Sequence, residues 1–240
     1  MAKYIIFGAS SGIGRATAER LASQGNSLIL ASSNRDRLEN ARYSLVNPDS
    51  HRIAVFDARS PETLPGVFDI AVSDGSMIDG MVYTVGVASA SPLRGLLAKT
   101  IEDILRVNFT SFILAVSLFT KKKYSHGGSV VALSAANAHY PQKCMSVYAA
   151  SKAAIEAAVQ SMAIELRDLN IRINAVIPGA TDTPMTDSLD DAVVESIVKR
   201  QLLGIIDPRD IASAVCFLLS EDSKAITGRS MYVDGGMLGQ

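Results

Sequence analysis

The chain has 240 residues, of which 48% are hydrophobic and 20% are charged, and its formal net charge is −1. This balance excludes a disordered chain, and a charge near zero gives no general attraction to nucleic acid or to an acidic membrane. Because no linker, low-complexity tract or repeat divides the sequence, we predict a single domain over residues 1–240.

The sequence carries no signal for membrane insertion, a disulfide framework or a metal site. Its longest apolar stretch, residues 112–119, is too short to cross a bilayer. The two cysteines, Cys144 and Cys216, are far apart and lack the spacing of metal ligands. We therefore expect a cytoplasmic protein with no metal ion, no nucleic-acid partner and no membrane contact.

Short β-rich runs alternate with helical patterns along the whole chain. The first half begins with a strand at residues 4–7, a helix from Ile13 to about Gln24, a strand at 27–31, a polar helix and a strand at 52–57. It is followed by a strand at 79–85, a helix from about Thr100 to Lys121, a strand at 128–134, a helix from Tyr148 to about Asn170 and a strand at 172–177. This alternation predicts the α/β class, with one doubly wound parallel sheet and helices on both faces.

A glycine-rich loop, FGASSGIGR at residues 7–15, follows the first strand and opens the first helix. Its glycines allow a tight turn and let the backbone approach a pyrophosphate at the helix N-terminus. A glycine loop alone is weak evidence, and a tight turn without a ligand is the alternative, but the position between strand and helix favours a dinucleotide site. The residues assigned to this part of the site are Gly8, Ser10, Ser11, Gly12, Ile13 and Gly14.

The end of the second strand indicates which dinucleotide is bound. A carboxylate there would accept the ribose hydroxyls of NAD and repel the 2′-phosphate of NADP. The chain instead has Ser32, Ser33 and Asn34, followed by Arg35 and Arg37. Hydroxyls beside a guanidinium suit a phosphate, so NADP is preferred, although either arginine could belong to the solvated face of the next helix.

Tyr148 and Lys152 are four residues apart on a predicted helix and therefore share one face. The unperturbed pKa of tyrosine is about 10, and a fixed cation beside it favours the phenolate. Such a pair can protonate the oxygen of a carbonyl as hydride arrives, or act as a base in reverse. Taken alone, the spacing is common on amphipathic helices and carries no function.

The loop at 7–15, the Tyr148–Lys152 pair and PGATDT at 178–183 together resemble the short-chain dehydrogenase/reductase family, and residues 207–236 resemble its usual ending. The resemblance covers nearly the whole chain and is closest to members similar to 3-oxoacyl-carrier-protein reductases and sugar or polyol dehydrogenases. It implies a Rossmann fold, a small-molecule carbonyl or alcohol substrate, and a homodimer or homotetramer.

The resemblance also implies roles for single residues. Asp57 and Ala58 match the family's pair at the adenine, and Lys152 would hold the nicotinamide ribose. Asn108 matches an asparagine that holds a water in a proton relay, although an isolated asparagine there would more often be an exposed helical residue. The residues matched to the nicotinamide end are Pro178 and Gly179 near the ring, Thr181 near its carboxamide and Thr183 near the pyrophosphate.

Two departures from the family pattern concern the site. Gly86 matches the end of the family's Asn-Asn-Ala-Gly, but the stretch here is YTVG, so the asparagines' hydrogen bonds must come from Thr84, from water, or not at all. Relatives place a serine thirteen residues before the tyrosine, where this chain has Ala135. Either an insertion lets the preceding residue, Ser134, reach the site, which we prefer, or Ala135 replaces the serine and a hydrogen-bond donor is lost.

We therefore predict an NADP-dependent oxidoreductase in which Tyr148 is the acid/base, Lys152 tunes it, and Asn108 and Ser134 complete the site. Ala135 and YTVG motivate the competing hypothesis of a cofactor-binding or regulatory protein with weak or no turnover. An epimerase or dehydratase using the same tyrosine is intermediate between them. Residues from about 182 to 203 are expected to form a flap over the substrate.

Overall fold

A computed structural model describes residues 1–140, 142–186 and 191–238. Seven parallel strands form one sheet in the order β3-β2-β1-β4-β5-β6-β7. The strands are β1 (Lys3–Phe7), β2 (Ser27–Ser32), β3 (Arg52–Val55), β4 (Gly80–Tyr83), β5 (Gly128–Leu133), β6 (Ile171–Pro178) and β7 (Ser230–Val233). The prediction of a doubly wound parallel sheet is confirmed.

Helices cover both faces of this sheet. In chain order they are α1 (Gly12–Ser23), α2 (Arg35–Tyr43), α3 (Leu64–Ala71), α4 (Ala98–Leu105), α5 (Ser111–Phe119), α6 (Ser146–Leu166), α7 (Asp191–Arg200) and α8 (Pro208–Leu219). Within the residues that the structure describes, no helix is long and apolar enough to span a membrane.

The first strand shows why the sheet is covered on both sides. Ile5 and Phe7 belong to one hydrophobic cluster, whereas Ile6 belongs to another. All three side chains are fully buried. Alternate residues of a strand point to opposite faces, so a continuous apolar run requires a core on each face.

The region predicted as a helix from about Thr100 to Lys121 is helical from Ala98 to Phe119. A single π-helical turn, Arg106–Thr110, lies within it between α4 and α5. Apolar periodicity does not reveal an inserted π turn, so this detail was not predicted. Such turns are rare and frequent at functional sites, and this one carries Asn108.

The carboxyl ends of β1, β2, β4, β5 and β6 meet along one edge of the sheet, where ligands bind in folds of this kind. The predicted flap follows β6 at this edge. It comprises turns up to Thr186 and then α7, while residues 187–190 of the prediction lie outside the described part of the chain.

Candidate active site

The glycine loop connects β1 to α1 through a backbone that larger residues would obstruct. Gly8 has a φ of 88°, a left-handed conformation that favours glycine. A Cβ added to Gly14 would collide with the carbonyl oxygen of Gly8. Ser11 precedes α1 but makes no side-chain cap, so its hydroxyl does not cap the first N–H groups of the helix. A helix end of this kind suits a phosphate.

Thr84 hydrogen-bonds to the start of the glycine loop. Its Oγ1 donates to Phe7 O at 2.8 Å and its backbone N–H donates to the same oxygen at 3.0 Å. The Thr84 hydroxyl lies so close to Gly8 and Gly14 that a Cβ on either residue would collide with it or crowd it. Thr84 therefore ties the end of β4 to the glycine loop.

The end of β2 presents the groups predicted to meet the cofactor's ribose. Ser32 is 9% exposed, and its Oγ has no hydrogen-bond partner among the residues described. Asn34 is engaged, since its Oδ1 accepts from Arg37 N at 2.9 Å and caps α2. Ser33, Arg35 and Arg37 are exposed. An unpartnered buried hydroxyl and two exposed guanidinium groups fit a phosphorylated ribose.

Asp57 and Ala58 follow β3 at the same edge. The Asp57 side chain is half exposed, and its Oδ1 accepts from Arg59 N at 2.9 Å. Ala58 is buried in the core beneath it. The carboxylate therefore faces solvent at the place predicted for the adenine.

Lys152, Gly86 and Asn108 come together although they are distant in sequence. The Lys152 Nζ donates to Leu133 O at 2.9 Å. A Cβ added to Gly86 would lie 3.1 Å from Lys152 Nζ and 3.6 Å from Asn108 Oδ1. The absence of a side chain at Gly86 keeps the space beside the ammonium group free.

Asn108 is fully buried, so the alternative of an exposed helical asparagine does not hold. Its Oδ1 accepts from Val87 N at 2.8 Å, and its Nδ2 donates to Val87 O at 3.0 Å and to Ser151 Oγ at 2.9 Å. Ser151 in turn donates to Tyr148 O. Asn108 thus joins the π turn, the segment after β4 and the start of α6.

Tyr148 is 8% exposed, and its hydroxyl has no hydrogen-bond partner within the described residues. The Lys152 Nζ lies 5.9 Å from the centre of its ring. Burial raises the pKa of Tyr148 to about 12 and lowers the pKa of Lys152 to about 8. The direction for Tyr148 is opposite to the one expected from the sequence, because the loss of water on burial disfavours the phenolate.

The Ser134 hydroxyl is bonded to groups other than the Tyr148 hydroxyl. Its Oγ donates to Glu156 Oε1 at 2.5 Å and lies 3.1 Å from Lys152 O. Glu156 is also buried and is contacted by His139 Nε2 at 2.9 and 3.0 Å. The structure therefore places Ser134 in a network behind Lys152, which disfavours the prediction that it donates to the substrate.

The loop after β6 approaches the glycine loop. A Cβ added to Gly12 would lie 3.1 Å from Thr183 Cγ2, so Thr183 stands beside the start of α1. Thr181 is buried, and its Oγ1 donates to Gly179 O at 3.0 Å. Pro178 closes β6. The four residues predicted for the nicotinamide end are therefore placed at one edge with the glycine loop.

Gln201 is a residue of this region that the sequence did not single out. It follows α7, is 1% exposed, and hydrogen-bonds through its side chain to both backbone groups of Ala180. A glutamine after a polar helix is usually a surface residue, so no sequence signal marks it. Within residues 1–140, 142–186 and 191–238, no three His, Cys, Asp or Glu side chains are grouped closely enough to hold a metal ion.

The chain matches a known protein family over nearly its whole length. The family model described as enoyl-(acyl carrier protein) reductase matches residues 8–238. A glucose 1-dehydrogenase of Gluconobacter oxydans (strain 621H) is 32% identical and is aligned over 98% of this chain and 91% of its own. A 3-oxoacyl-(acyl-carrier-protein) reductase FabG of Rickettsia prowazekii (strain Madrid E) is 31% identical over 98% and 95%.

Two solved structures have the same fold. A dehydrogenase/reductase from Sinorhizobium meliloti 1021 superimposes with a TM-score of 0.91 at 27% identity and covers 98% of this chain and 94% of its own. An actinorhodin polyketide ketoreductase variant solved with NADPH gives a TM-score of 0.92 at 20% identity, covering 100% and 98%. At that identity the second likeness shows the fold alone.

A parallel Rossmann sheet, a glycine loop after its first strand and a family model that spans nearly the whole chain define one class: the protein belongs to the short-chain dehydrogenase/reductase family. It is an oxidoreductase with a small-molecule substrate, of a family that uses NAD or NADP. The family resemblance read from the sequence is confirmed.

Proposed function

We propose that the protein is an NADP-dependent oxidoreductase that interconverts a carbonyl and an alcohol, with Tyr148 as the acid/base. The observation that carries the proposal is Tyr148, a residue only 8% exposed whose hydroxyl has no hydrogen-bond partner among the described residues and which shares a helix face with a buried lysine. A hydroxyl kept unpaired beside a cation is available to a ligand.

The chain's own residues would act as follows. Tyr148 donates its proton to the carbonyl oxygen of the substrate and takes it back in the reverse direction. Lys152, held by Leu133 O, contributes a positive charge that stabilises the resulting phenolate and binds the nicotinamide ribose. Asn108 ties the Val87 backbone to the Ser151 hydroxyl, which lies between Tyr148 and Lys152 in α6. When bound, the nicotinamide supplies or accepts the hydride.

The preference for NADP over NAD follows from the end of β2. Ser32 offers an unpartnered hydroxyl, and no carboxylate stands at the strand end to repel a phosphate. Arg35 or Arg37 would pair with the 2′-phosphate from the exposed first turn of α2. The glycine loop and the start of α1 would hold the pyrophosphate, with Asp57 and Ala58 at the adenine and Thr183 beside the loop.

We also propose that no serine contacts the substrate in this enzyme. The Ser134 hydroxyl donates to Glu156 Oε1 and lies within hydrogen-bond distance of Lys152 O, and the position where relatives carry a serine is Ala135. Tyr148 would then be the main donor to the substrate oxygen. In this arrangement the Ser134 hydroxyl positions Lys152 by contacting the backbone oxygen of Lys152.

Assembly into a homodimer or homotetramer is part of the proposal. By resemblance to the family, α6 and the helical region 100–121 would pair with a second copy across a twofold axis. Each region exposes a large apolar side chain, Leu114 on α5 and Ile164 on α6. Single apolar residues on a surface are common, but two on the expected interface agree with a helix-to-helix contact.

The experiment that tests the proposed function is cofactor oxidation followed by absorbance, with NADPH and NADH in parallel. The substrates are short acetoacetyl thioesters, diketones and keto sugars, and wild type is compared with Tyr148→Phe. We expect turnover with NADPH and a loss of roughly 10² to 10⁴-fold in kcat in the variant. Turnover that survives in Tyr148→Phe would contradict the assignment of the acid.

A matched control is Tyr83→Phe. Tyr83 is also buried, but its hydroxyl contacts Ser111 Oγ beneath the sheet edge. Its removal should change stability more than kcat. A similar loss of kcat in both variants would mean that any buried tyrosine hydroxyl matters, and would remove the special role of Tyr148.

A further inference from the structure

Gln201 has an unusually complete set of hydrogen bonds for a side-chain amide. Its Oε1 accepts from Ala180 N at 2.8 Å, and its Nε2 donates to Ala180 O at 2.9 Å and also to Gly204 O. With 1% of its surface exposed, it is buried between α7 and the loop after β6. The side chain thereby pairs with Ala180 as a neighbouring strand would.

The Gln201 amide occupies space that is free only because two neighbouring residues are glycines. A Cβ on Gly179 would collide with Gln201 Oε1, and a Cβ on Gly235 would lie 2.7 Å from Gln201 Cγ. Gln201 is therefore wedged between the loop that follows β6 and the loop that follows β7. Substitution at either glycine would displace it.

The backbone after Ala180 is held by the same segment of chain. Ile206 N donates to Ala180 O, the carbonyl that Gln201 also contacts, at 3.0 Å, and Asp182 N donates to Ile206 O at 2.9 Å. Thr181 lies between these contacts and pairs with Ile206 in an isolated bridge. The path of the backbone from Ala180 to Asp182 is therefore set by residues 201–206, whereas Gly179 N donates to Val233 O of β7.

We propose that Gln201 is a positioning residue for the nicotinamide end of the cofactor. It fixes the Ala180 peptide, and through it the placement of Gly179 and Thr181, without itself touching the cofactor. This inference rests on the proposed function and on the family resemblance, which implies that Thr181 lies near the nicotinamide carboxamide. It predicts that Gln201 contributes to binding of the nicotinamide and not to binding of the adenine half.

Two ligands separate these halves. NADPH carries the nicotinamide, whereas 2′-phospho-ADP-ribose has the same adenine, phosphates and riboses but lacks it. Dissociation constants for both are measured by calorimetry on wild type, Gln201→Ala and Gln201→Glu. Gln160→Ala, at an exposed glutamine of α6, is the matched control.

We expect Gln201→Ala to weaken NADPH binding about tenfold, because Ala180 N loses the Gln201 acceptor, Ala180 O keeps only Ile206 N as a donor, and the loop shifts. Binding of 2′-phospho-ADP-ribose should change less than about twofold. Gln201→Glu retains the acceptor for Ala180 N but places a carboxylate against Ala180 O and Gly204 O, so its loss should be at least as large. Gln160→Ala should bind both ligands as wild type does.

Equal weakening for both ligands in Gln201→Ala would indicate a general loss of structure and overturn the proposal, as would unchanged binding of NADPH. The pair NADH and ADP-ribose is measured alongside. Tighter binding of NADH than of NADPH by wild type would overturn the NADP preference. The role of Gln201 would then be tested by comparing how Gln201→Ala changes the binding of NADH and of ADP-ribose. Wild type that binds neither dinucleotide would defeat the proposed function and this inference together.

Discussion

Ser32 and Ser134 occupy equivalent places in the sheet but have different surroundings. Ser32 closes β2 and Ser134 follows β5, and both side chains are at least nine-tenths buried. The Ser32 hydroxyl has no partner among the described residues, whereas the Ser134 hydroxyl lies within hydrogen-bond distance of two acceptors. A serine at the carboxyl edge of the sheet is therefore available to bind a ligand only where the protein leaves its hydroxyl unpaired.

The same contrast extends to the two ends of the cleft. At the cofactor end, Ser11 does not cap α1, and Arg35 and Arg37 are exposed. At the proton-transfer end, Lys152 and Asn108 are engaged by the protein, and the Tyr148 hydroxyl is left without a described partner. Of these groups and Ser32, only the Ser32 hydroxyl is a buried atom without a described partner, which is costly in a protein interior, whereas Ser11, Arg35 and Arg37 are exposed and open to a ligand.

The largest effect that would test this contrast is expected from Ser32→Asp. A carboxylate at the end of β2 would repel the 2′-phosphate of NADPH and accept the ribose hydroxyls of NADH. Juxtaposed like charges cost several kcal/mol, so the ratio of kcat/KM for NADPH over NADH should fall by roughly a thousandfold.

Ser32→Ala is the companion variant, because it removes the hydroxyl without adding charge. Its affinity for NADPH should fall by about tenfold or less. If Ser32→Asp leaves the ratio of the two cofactors unchanged, Ser32 does not face the 2′-phosphate and the cofactor end has been assigned wrongly.

A smaller effect concerns the pH dependence of stability, which reports on Lys152. Burial lowers the pKa of this lysine from 10.5 to about 8 in the folded protein. Between these values the unfolded chain binds more protons than the folded chain, so the free energy of unfolding rises with pH. The contribution of Lys152 should rise by on the order of 3 kcal/mol between pH 8 and 10.5.

This contribution is measured as the difference in urea unfolding between wild type and Lys152→Met without cofactor. Burial also raises the pKa of Cys216 to about 11 and that of Tyr148 to about 12, which opposes the trend in both proteins. Because these groups are common to the two, they are removed by the subtraction to first order. A difference that does not change with pH would mean that Lys152 is solvated.

The smallest effect is expected from Ser134→Ala. If Ser134 only positions Lys152, kcat should fall by less than about tenfold, since removing a donor to the reacting oxygen typically costs 10² to 10³-fold. Ser129→Ala is the matched control, as Ser129 is a buried serine at the other end of β5 that donates to Leu218 O. A loss of a hundredfold or more in Ser134→Ala alone would restore Ser134 as the substrate's donor.

The parts of the molecule that sequence reasoning predicted are those governed by local pattern. The alternation of strands and helices, the turn at Gly8 and the spacing of Tyr148 and Lys152 all depend on residues close together in the chain. The π turn that carries Asn108 was not predicted. The Asn108 side chain is held there by Val87 and Ser151, which are distant from it in sequence. Gln201 was missed for the same reason.

By itself the sequence determined the fold class, the family and the residue types that meet at the carboxyl edge of the sheet, because periodicity and motif spacing are written along the chain. Only the tertiary structure decided which of these groups are free. In the folded chain the Ser134 hydroxyl donates to Glu156, and the hydroxyls of Ser32 and Tyr148 have no partner among the described residues. Lys152 is buried. The direction of a hydroxyl and the desolvation of a charge are set by neighbours from other strands and helices, which no local pattern specifies.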